Sequence, residues 1–205
     1  MSGTDARWAV VPVKPFDWAK SRLDGVITPG ERAALARQLM LGSLGALIES
    51  GCFRSVVVVS RDADALSLAQ ELGALGLAEN APADLNRAIV AARGLAMGEG
   101  AHSLLVLASD LPLVQAEDIR RIVEASEGSS AVIVPDRRAE GTNALLLGPP
   151  DLIEPAFGVQ SFQRHLALLG KAGTTASVLR LERIAFDVDV PEDLTELERR
   201  RAVCG

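Results

Sequence analysis

The chain has 205 residues, of which 48% are apolar and 23% charged, a composition typical of an ordinary globular protein with a core covered on both faces. Its formal net charge of −6 argues against binding to nucleic acid or to an anionic membrane, because both attract a net basic surface. The longest apolar stretch, residues 55–60, is far shorter than the roughly 20 residues that cross a bilayer. We therefore expect one cytoplasmic domain over residues 1–205.

Apolar runs and helix-like segments alternate along the chain, which predicts an α/β fold with a parallel, doubly wound sheet. Buried strands are predicted at residues 8–13, 56–59, 104–108 and 131–134, and an alternating strand at 184–190. Helices are predicted from Pro29 to a C-terminal cap at Gly51, from a cap at Asp84 to residue 96, at 116–125, at 161–169, and from Pro191 onward.

The loop after the first strand is basic. In an open parallel sheet, ligands bind beyond the carboxyl ends of the strands. Lys14, Lys20 and Arg22 lie within nine residues there, so they are candidates for binding the oxygens of a triphosphate. The loop has neither the P-loop nor the dinucleotide-binding pattern. A solvated basic loop is the alternative interpretation.

Three aspartates are candidate ligands of Mg²⁺. Asp110 ends a predicted buried strand at the ligand-binding edge, where a carboxylate can hold a divalent ion that bridges phosphates. Its alternative role is to cap the next helix. Asp187 and Asp189 alternate along the last predicted strand, which places both on one face. Asp189 is also a candidate cap for the closing helix, and both roles stay open.

Two polar turns follow in the second half of the chain. Thr142 lies at the edge of an apolar run, and Gly158 and Ser161 lie at the start of a predicted helix, whose N-terminus suits a phosphate or carboxylate. Spacing alone favours an ordinary glycine turn with a serine cap for the latter pair. Neither His102 nor His165 has a partner at a recognisable spacing, so a hydrolytic triad is not indicated.

Six motifs in order, PVKPxxxAKSRL, the segment 85–89, SDLPL, PDRRAEGTNALL, FGxxSFxxH and DVDxPEDL, cover nearly the whole chain. Together they resemble the guanylyltransferase family of coenzyme F-420 biosynthesis. The resemblance implies a Rossmann-like nucleotidyltransferase fold and transfer of GMP from GTP to a phosphorylated three-carbon acid with release of pyrophosphate. The acid is phosphoenolpyruvate, 2-phospho-L-lactate or 3-phospho-D-glycerate in different members.

The resemblance also assigns roles to individual residues. It implies that Thr142, Gly158 and Ser161 bind the acid, which reverses the interpretation of the glycine turn from spacing alone. It implies that Asp110 binds the metal, with Asp187 or Asp189 as the second carboxylate. The residues implied to bind the nucleotide are Lys14, Lys20, Arg22, Asp84, Leu85 and Asn86.

In this hypothesis Asp110, Lys20 and Arg22 are the catalytic residues. The phosphate of the acid is already anionic, so no general base is needed, and catalysis consists of alignment and charge neutralisation. The product is expected to pass to the next transferase of the pathway, and a homodimer stays open. Two alternatives remain: a molybdenum-cofactor guanylyl- or cytidylyltransferase, and a non-catalytic nucleotide-binding regulator.

Overall fold

The strands form one sheet with a single antiparallel member. A computed structural model of the protein describes residues 7–79 and 84–204. In these residues the strand order is β3-β2-β1-β4-β6-β5-β7, and only β6 runs against its neighbours. The predicted mostly parallel sheet is confirmed. The strands are β1 (Arg7–Val13), β2 (Ser55–Ser60), β3 (Leu75–Ala78), β4 (Ser103–Leu107), β5 (Ala131–Pro135), β6 (Thr142–Leu147) and β7 (Ser177–Val178).

The central strands are apolar on both faces because helices cover both. Trp8 and Val10 of β1 pack on one face, and Ala9 and Val11 pack on the other. Such continuous apolar runs are typical of parallel strands that are buried on both sides. The helices are α1 (Pro29–Ser50), α2 (Ala63–Glu71), α3 (Leu85–Gly98), α4 (Ala116–Ala125), α5 (Ser161–Lys171), α6 (Glu182–Ala185) and α7 (Pro191–Cys204).

Local capping signals fix where the first long helix begins and ends. At the start of α1, the Thr28 side chain accepts from the Glu31 backbone N–H, while the Glu31 carboxylate accepts from the Thr28 backbone N–H. Pro29 occupies the first turn, where its missing N–H is not needed. Gly51 ends the helix with φ at 66°. Both predicted ends of this helix are confirmed.

The predicted strand at residues 184–190 is wrong. Ile184, Phe186 and Val188 are buried in alternation, as the sequence pattern indicates. However, α6 ends at Ala185, and residues 186–190 belong to no strand of the sheet. A backbone hydrogen bond of 3.4 Å from Val188 N–H to the Asp110 carbonyl ties the segment to the end of β4. The alternating burial therefore shows that one side of this segment packs against the core, and it does not show pairing with a neighbouring strand.

No helix in residues 7–79 and 84–204 is both long and apolar enough to span a bilayer. The single domain and the cytoplasmic location stay predictions.

Candidate active site

A cleft of about 880 Å³ opens at the carboxyl edge of the sheet. The antiparallel direction of β6 brings the start of this strand to the same edge as the ends of β1, β2 and β4. Eleven of the twelve predicted site residues therefore line one cleft, although they come from distant parts of the chain. They are Lys14, Lys20, Arg22, Asp84, Leu85, Asp110, Thr142, Gly158, Ser161, Asp187 and Asp189.

The basic loop is held in place by packing and by one long-range hydrogen bond. It contains two short 3-10 turns, Phe16–Trp18 and Ser21–Leu23, whose buried side chains are Phe16 and Leu23. The Phe16 backbone N–H donates to the Asp62 carboxylate at 2.8 Å, which ties the loop to the start of α2. Lys20 stands between the turns with φ at 55°. A loop fixed in this way can present cations without first being ordered by a ligand.

The three cations of this loop have different surroundings. Lys20 Nζ lies 2.7 Å from Asp110 Oδ2 and 3.4 Å from Asp189 Oδ1, and only 6% of its side chain is exposed. Burial lowers the pKa of Lys20, but the two carboxylates outweigh burial and hold the pKa above its ordinary value. Arg22 is 72% exposed and reaches Asp189 at 3.4 Å, whereas Lys14 is exposed on the cleft wall. Lys20 is thus the one of these three cations that is mostly buried and paired with two carboxylates.

Asp110, Asp187 and Asp189 form a cluster of carboxylates. One oxygen atom from each lies within 4.8 Å of the oxygens of the other two, which is close enough for a shared ion. Val188 between the latter two is fully buried and faces the core, so its neighbours face the cleft. Asp187 and Asp189 therefore lie on one face, as predicted, although the segment that carries them is not a strand.

Neither alternative capping role accounts for this cluster. Helix α4 begins at Ala116, where the Asp118 carboxylate accepts from the Gln115 backbone N–H at 3.0 Å. At the start of α7, Asp193 accepts from the backbone N–H groups of Asp189 and Val190 at 2.7 and 2.9 Å. The acidic caps are other residues, so the carboxylates of Asp110 and Asp189 are left to face Lys20.

The clustered carboxylates repel one another. Burial raises the pKa of Asp187, and the charges of Asp110 and Asp189 raise it further, to about 6. A hydrogen bond from the Asn143 side chain acts in the opposite direction. The same amide also donates to the Ile184 carbonyl at 2.8 Å and so holds the acidic segment against β6. A divalent cation would relieve this repulsion, and its preferred oxygen ligands are already assembled.

Thr142, Gly158 and Ser161 line another part of the same cleft. Thr142 begins β6 and Ser161 begins α5, and both residues are buried. Gly158 has φ at 110°, a region that L side chains rarely adopt, and a Cβ there would meet no atom within 4 Å. The glycine is therefore required by its backbone conformation, and substitution would strain the turn even without a ligand. The Ser161 and Phe162 backbone N–H groups already donate to the carbonyls of Gly158 and Glu140, so what this part of the cleft offers an anion is the hydroxyl groups of Thr142 and Ser161.

Sequence comparison identifies the family to which these residues belong. The model of the family described as guanylyl transferase CofC like matches residues 7–199. The chain belongs to this family. It is therefore a nucleotidyltransferase with guanylyltransferase function, and the family assignment supports the first of the three hypotheses over the molybdenum-cofactor transferase and the regulator.

Relatives in this guanylyltransferase family carry two substrate names. A phosphoenolpyruvate guanylyltransferase of Rubrobacter xylanophilus is 44% identical over 192 residues, which are 93% of each chain. One of Sphaerobacter thermophilus is 40% identical over 189 residues, 92% of this chain and 91% of the relative. A 2-phospho-L-lactate guanylyltransferase of Methanothermobacter thermautotrophicus is 32% identical over 189 residues, 92% of this chain and 82% of the relative.

Solved structures with low sequence identity share the fold of the guanylyltransferase. A nucleotidyl transferase from Methanothermobacter superposes with a TM-score of 0.72 at 15% identity, covering 98% of this chain and 99% of that one. A 4-diphosphocytidyl-2C-methyl-D-erythritol synthase from Anaerococcus prevotii gives 0.64 at 10% identity, with 98% and 100% covered. The predicted nucleotidyltransferase fold is confirmed.

The predicted nucleotide-binding residues at the start of α3 lie in two environments. Asp84 and Leu85 line the cleft, and the Asp84 carboxylate also caps α3 through the backbone N–H of Asn86 at 2.9 Å. The Asn86 side chain instead holds Phe157: its Oδ1 accepts from the Phe157 N–H at 2.8 Å, and its Nδ2 donates to the Phe157 carbonyl at 3.2 Å. Asn86 thus contacts the turn before Gly158. Its role toward a nucleotide stays a prediction.

Two residues near Thr142 were not predicted to belong to the site of this guanylyltransferase. Asn143 holds the acidic segment, as described above. His165, fully buried on α5, lies with Nδ1 3.0 Å from Thr142 Oγ1 and accepts from the Ala156 backbone N–H at Nε2, also at 3.0 Å. The signal available in the sequence was its position one helical turn after Ser161, on the same face of α5.

Proposed function

We propose that the enzyme joins GMP from GTP to phosphoenolpyruvate, releases pyrophosphate and acts in coenzyme F-420 biosynthesis. The observation that carries the proposal is one cleft in which Lys20 of the basic loop faces three carboxylates and which Thr142, Gly158 and Ser161 also line. Phosphoenolpyruvate is the preferred acid because the relatives at 44% and 40% identity carry that substrate in their names. 2-Phospho-L-lactate and 3-phospho-D-glycerate are the acids to test against it.

The strand order supports separate positions for the two substrates. The ends of β1, β2 and β3 lie on one side of β4, and Thr142 at the start of β6 lies on the other. We assign GTP to the first side, with its phosphates on Lys14, Lys20 and Arg22. The acid occupies the pocket of Thr142 and Ser161. Its phosphate and the α-phosphate of GTP then meet beside Asp110, which follows β4.

The nucleophile is an oxygen of the acid's phosphate group. It attacks the α-phosphorus of GTP, a new phosphoanhydride bond forms, and the bond to the β-phosphate breaks with release of pyrophosphate. The attacking oxygen carries no proton that must be removed, so the protein supplies alignment and positive charge. Lys20 is suited to this task because its pKa is raised and its charge is held in a mostly buried position.

A magnesium ion fits the carboxylate cluster. Asp110 with Asp187 or Asp189 would hold it, in agreement with the one or two carboxylates that Mg²⁺ usually takes from a protein. When bound, the ion supplies positive charge that offsets the charge of the phosphate oxygens. Lys20 and Arg22 each lie 3.4 Å from a carboxylate oxygen of Asp189, which limits how far this carboxylate can move.

The test offers GTP and MgCl₂ with each of the three acids in turn and measures pyrophosphate. The F-420 pathway transferase that consumes the product is added in a parallel series, because we also propose that the labile product is handed to it in the cytoplasm. ATP replaces GTP in the control. Pyrophosphate release with phosphoenolpyruvate and GTP is the expected result. A folded protein that releases none with any of the acids would refute the proposed function.

A further inference from the structure

His165 is a buried histidine that the proposed mechanism does not use. Both of its ring nitrogens have protein partners. Nε2 faces the Ala156 backbone N–H at 3.0 Å, and Nδ1 faces the Thr142 hydroxyl at 3.0 Å. The Phe157 ring packs edge-on against the imidazole with 4.8 Å between ring centres. The ring is thus held by two hydrogen bonds and one aromatic contact.

These partners determine the tautomer. A backbone N–H can only donate, so Nε2 must carry a lone pair and the proton of a neutral ring must lie on Nδ1. The Nδ1–H then donates to Thr142 Oγ1. Since that oxygen accepts from the ring, its own hydroxyl proton is directed elsewhere. Thr142 lines the cleft, and the cleft is where an acceptor for this proton can enter.

We infer that His165 is a positioning residue that orients the Thr142 hydroxyl as a hydrogen-bond donor toward an anionic group of the acid substrate. The inference rests on the proposed function for the identity of that substrate, and it adds a reason why the pocket prefers an anion. If the ring carried its proton on Nε2, Thr142 would donate to Nδ1 and present only lone pairs to the cleft. Lone pairs would repel a carboxylate or phosphate.

The same ring also shapes the turn that contains Gly158. By accepting from Ala156 it holds the backbone two residues before that glycine, while Asn86 holds Phe157 from the other side. One imidazole therefore contacts both walls of the acid pocket, β6 and the turn before α5. Burial lowers the pKa of His165 to about 4, with a smaller effect from the nearby Arg164 charge. The ring accordingly stays neutral at physiological pH, as the tautomer requires.

The tautomer can be measured without any assay of activity. The chain has only two histidines, so ¹⁵N-histidine labelling gives two ring systems, and His102→Gln, which changes an exposed residue, assigns them. We expect the NMR spectrum at pH 7 to report a neutral His165 ring protonated on Nδ1. A proton on Nε2, or a charged ring, would overturn the inference whatever the substrate proves to be.

The second experiment is a double-mutant cycle with His165→Gln and Thr142→Val. Glutamine can replace the Nε2 acceptor for Ala156 but has no donor at the position of Nδ1. We expect each single variant to raise the KM for phosphoenolpyruvate about tenfold or more, with the KM for GTP unchanged. The double variant should be no worse than Thr142→Val alone, because the histidine acts through the hydroxyl.

A matched variant, His165→Asn, places an amide donor near the position of Nδ1 and should recover part of the affinity that His165→Gln loses. Effects that add in the double variant, or an asparagine variant no better than the glutamine variant, would mean that His165 only packs the core. Absence of turnover in the unmodified enzyme would refute the proposed function instead, and NMR would still decide the tautomer.

Discussion

The ammonium group of Lys20 lies 2.7 Å from the carboxylate of Asp110, across 90 residues of sequence. The pair joins the loop after β1 to the end of β4, and Asp189 approaches the same ammonium at 3.4 Å. A mostly buried lysine with two carboxylates is a stable cation at neutral pH. The pair is also central to the proposed reaction. A bound metal would use the same carboxylates as Lys20, and the phosphate groups of both substrates would use the same positive charge.

Asp110→Asn should leave the fold intact and abolish most turnover. The change is nearly isosteric, and Asp189 still partners the Lys20 ammonium. Loss of a metal ligand should raise the barrier by about 3 kcal/mol or more, a hundredfold in kcat or greater. Steady-state kinetics with a thermal melt checks this, with the exposed Asp151→Asn as the control. Near-normal turnover in a folded variant would remove Asp110 from the site.

Lys20→Gln and Arg22→Gln should differ in which kinetic constant they change. Lys20 is 6% exposed and Arg22 is 72% exposed, so water and salt screen the arginine far more. We expect Lys20→Gln to lower kcat about a hundredfold, as loss of a preorganised charge does. Arg22→Gln should mainly raise the KM for GTP, and this increase should be smaller at high salt. Equal effects of both variants on kcat would contradict this division.

Ser161→Ala should weaken binding of the acid by about 1.5–3 kcal/mol if its hydroxyl bonds a charged group. The residue begins α5 and is buried beside the pocket, so little rearrangement is expected. The measurement is the KM for each substrate, with the exposed Ser67→Ala as the matched control. A larger effect on GTP than on the acid would mean that the two substrates occupy the opposite ends of the cleft. Gly158 is a poorer probe, because its positive φ makes any side chain a source of strain.

Asn86→Ala should raise the KM for the acid more than the KM for GTP. Its amide makes two hydrogen bonds to Phe157, so its loss frees the turn that carries Gly158. Two lost hydrogen bonds should also lower the free energy of unfolding by about 1–3 kcal/mol. Kinetics and urea denaturation measure the two effects. If GTP binding suffers more, the residue contacts the nucleotide as the family resemblance implies.

Stability should fall in mild acid because of His165. Its folded pKa of about 4 lies below the ordinary value of 6.5, so between these values the unfolded chain binds a proton that the folded protein does not. The free energy of unfolding therefore falls as pH falls through this window, by up to about 3 kcal/mol. We expect the free energy of unfolding, measured by urea denaturation from pH 7 to pH 4, to fall less steeply with pH in His165→Gln than in the unmodified protein or in His102→Gln. Identical slopes would refute the low pKa.

Local sequence signals were sufficient for most helices and for the central strands. The capping box at Thr28, the cap at Asp84 and the glycine at position 51 act within a few residues, and apolar runs report burial on both faces. The six motifs were sufficient to identify the family, and several of the residues that they contain line one cleft.

Tertiary structure decided what these residues do to one another. The Asn86 contact spans 71 residues, the Lys20 pair spans 90, and the His165 ring bonds a threonine 23 residues away. The segment 184–190 shows the same limit, since its alternating burial did not tell whether a neighbouring strand was available. Periodicity and capping record only the interactions of a residue with its near neighbours in the chain. Hydrogen-bond partners, pKa shifts and strand pairing depend on which distant atoms the folded chain brings within a few ångströms.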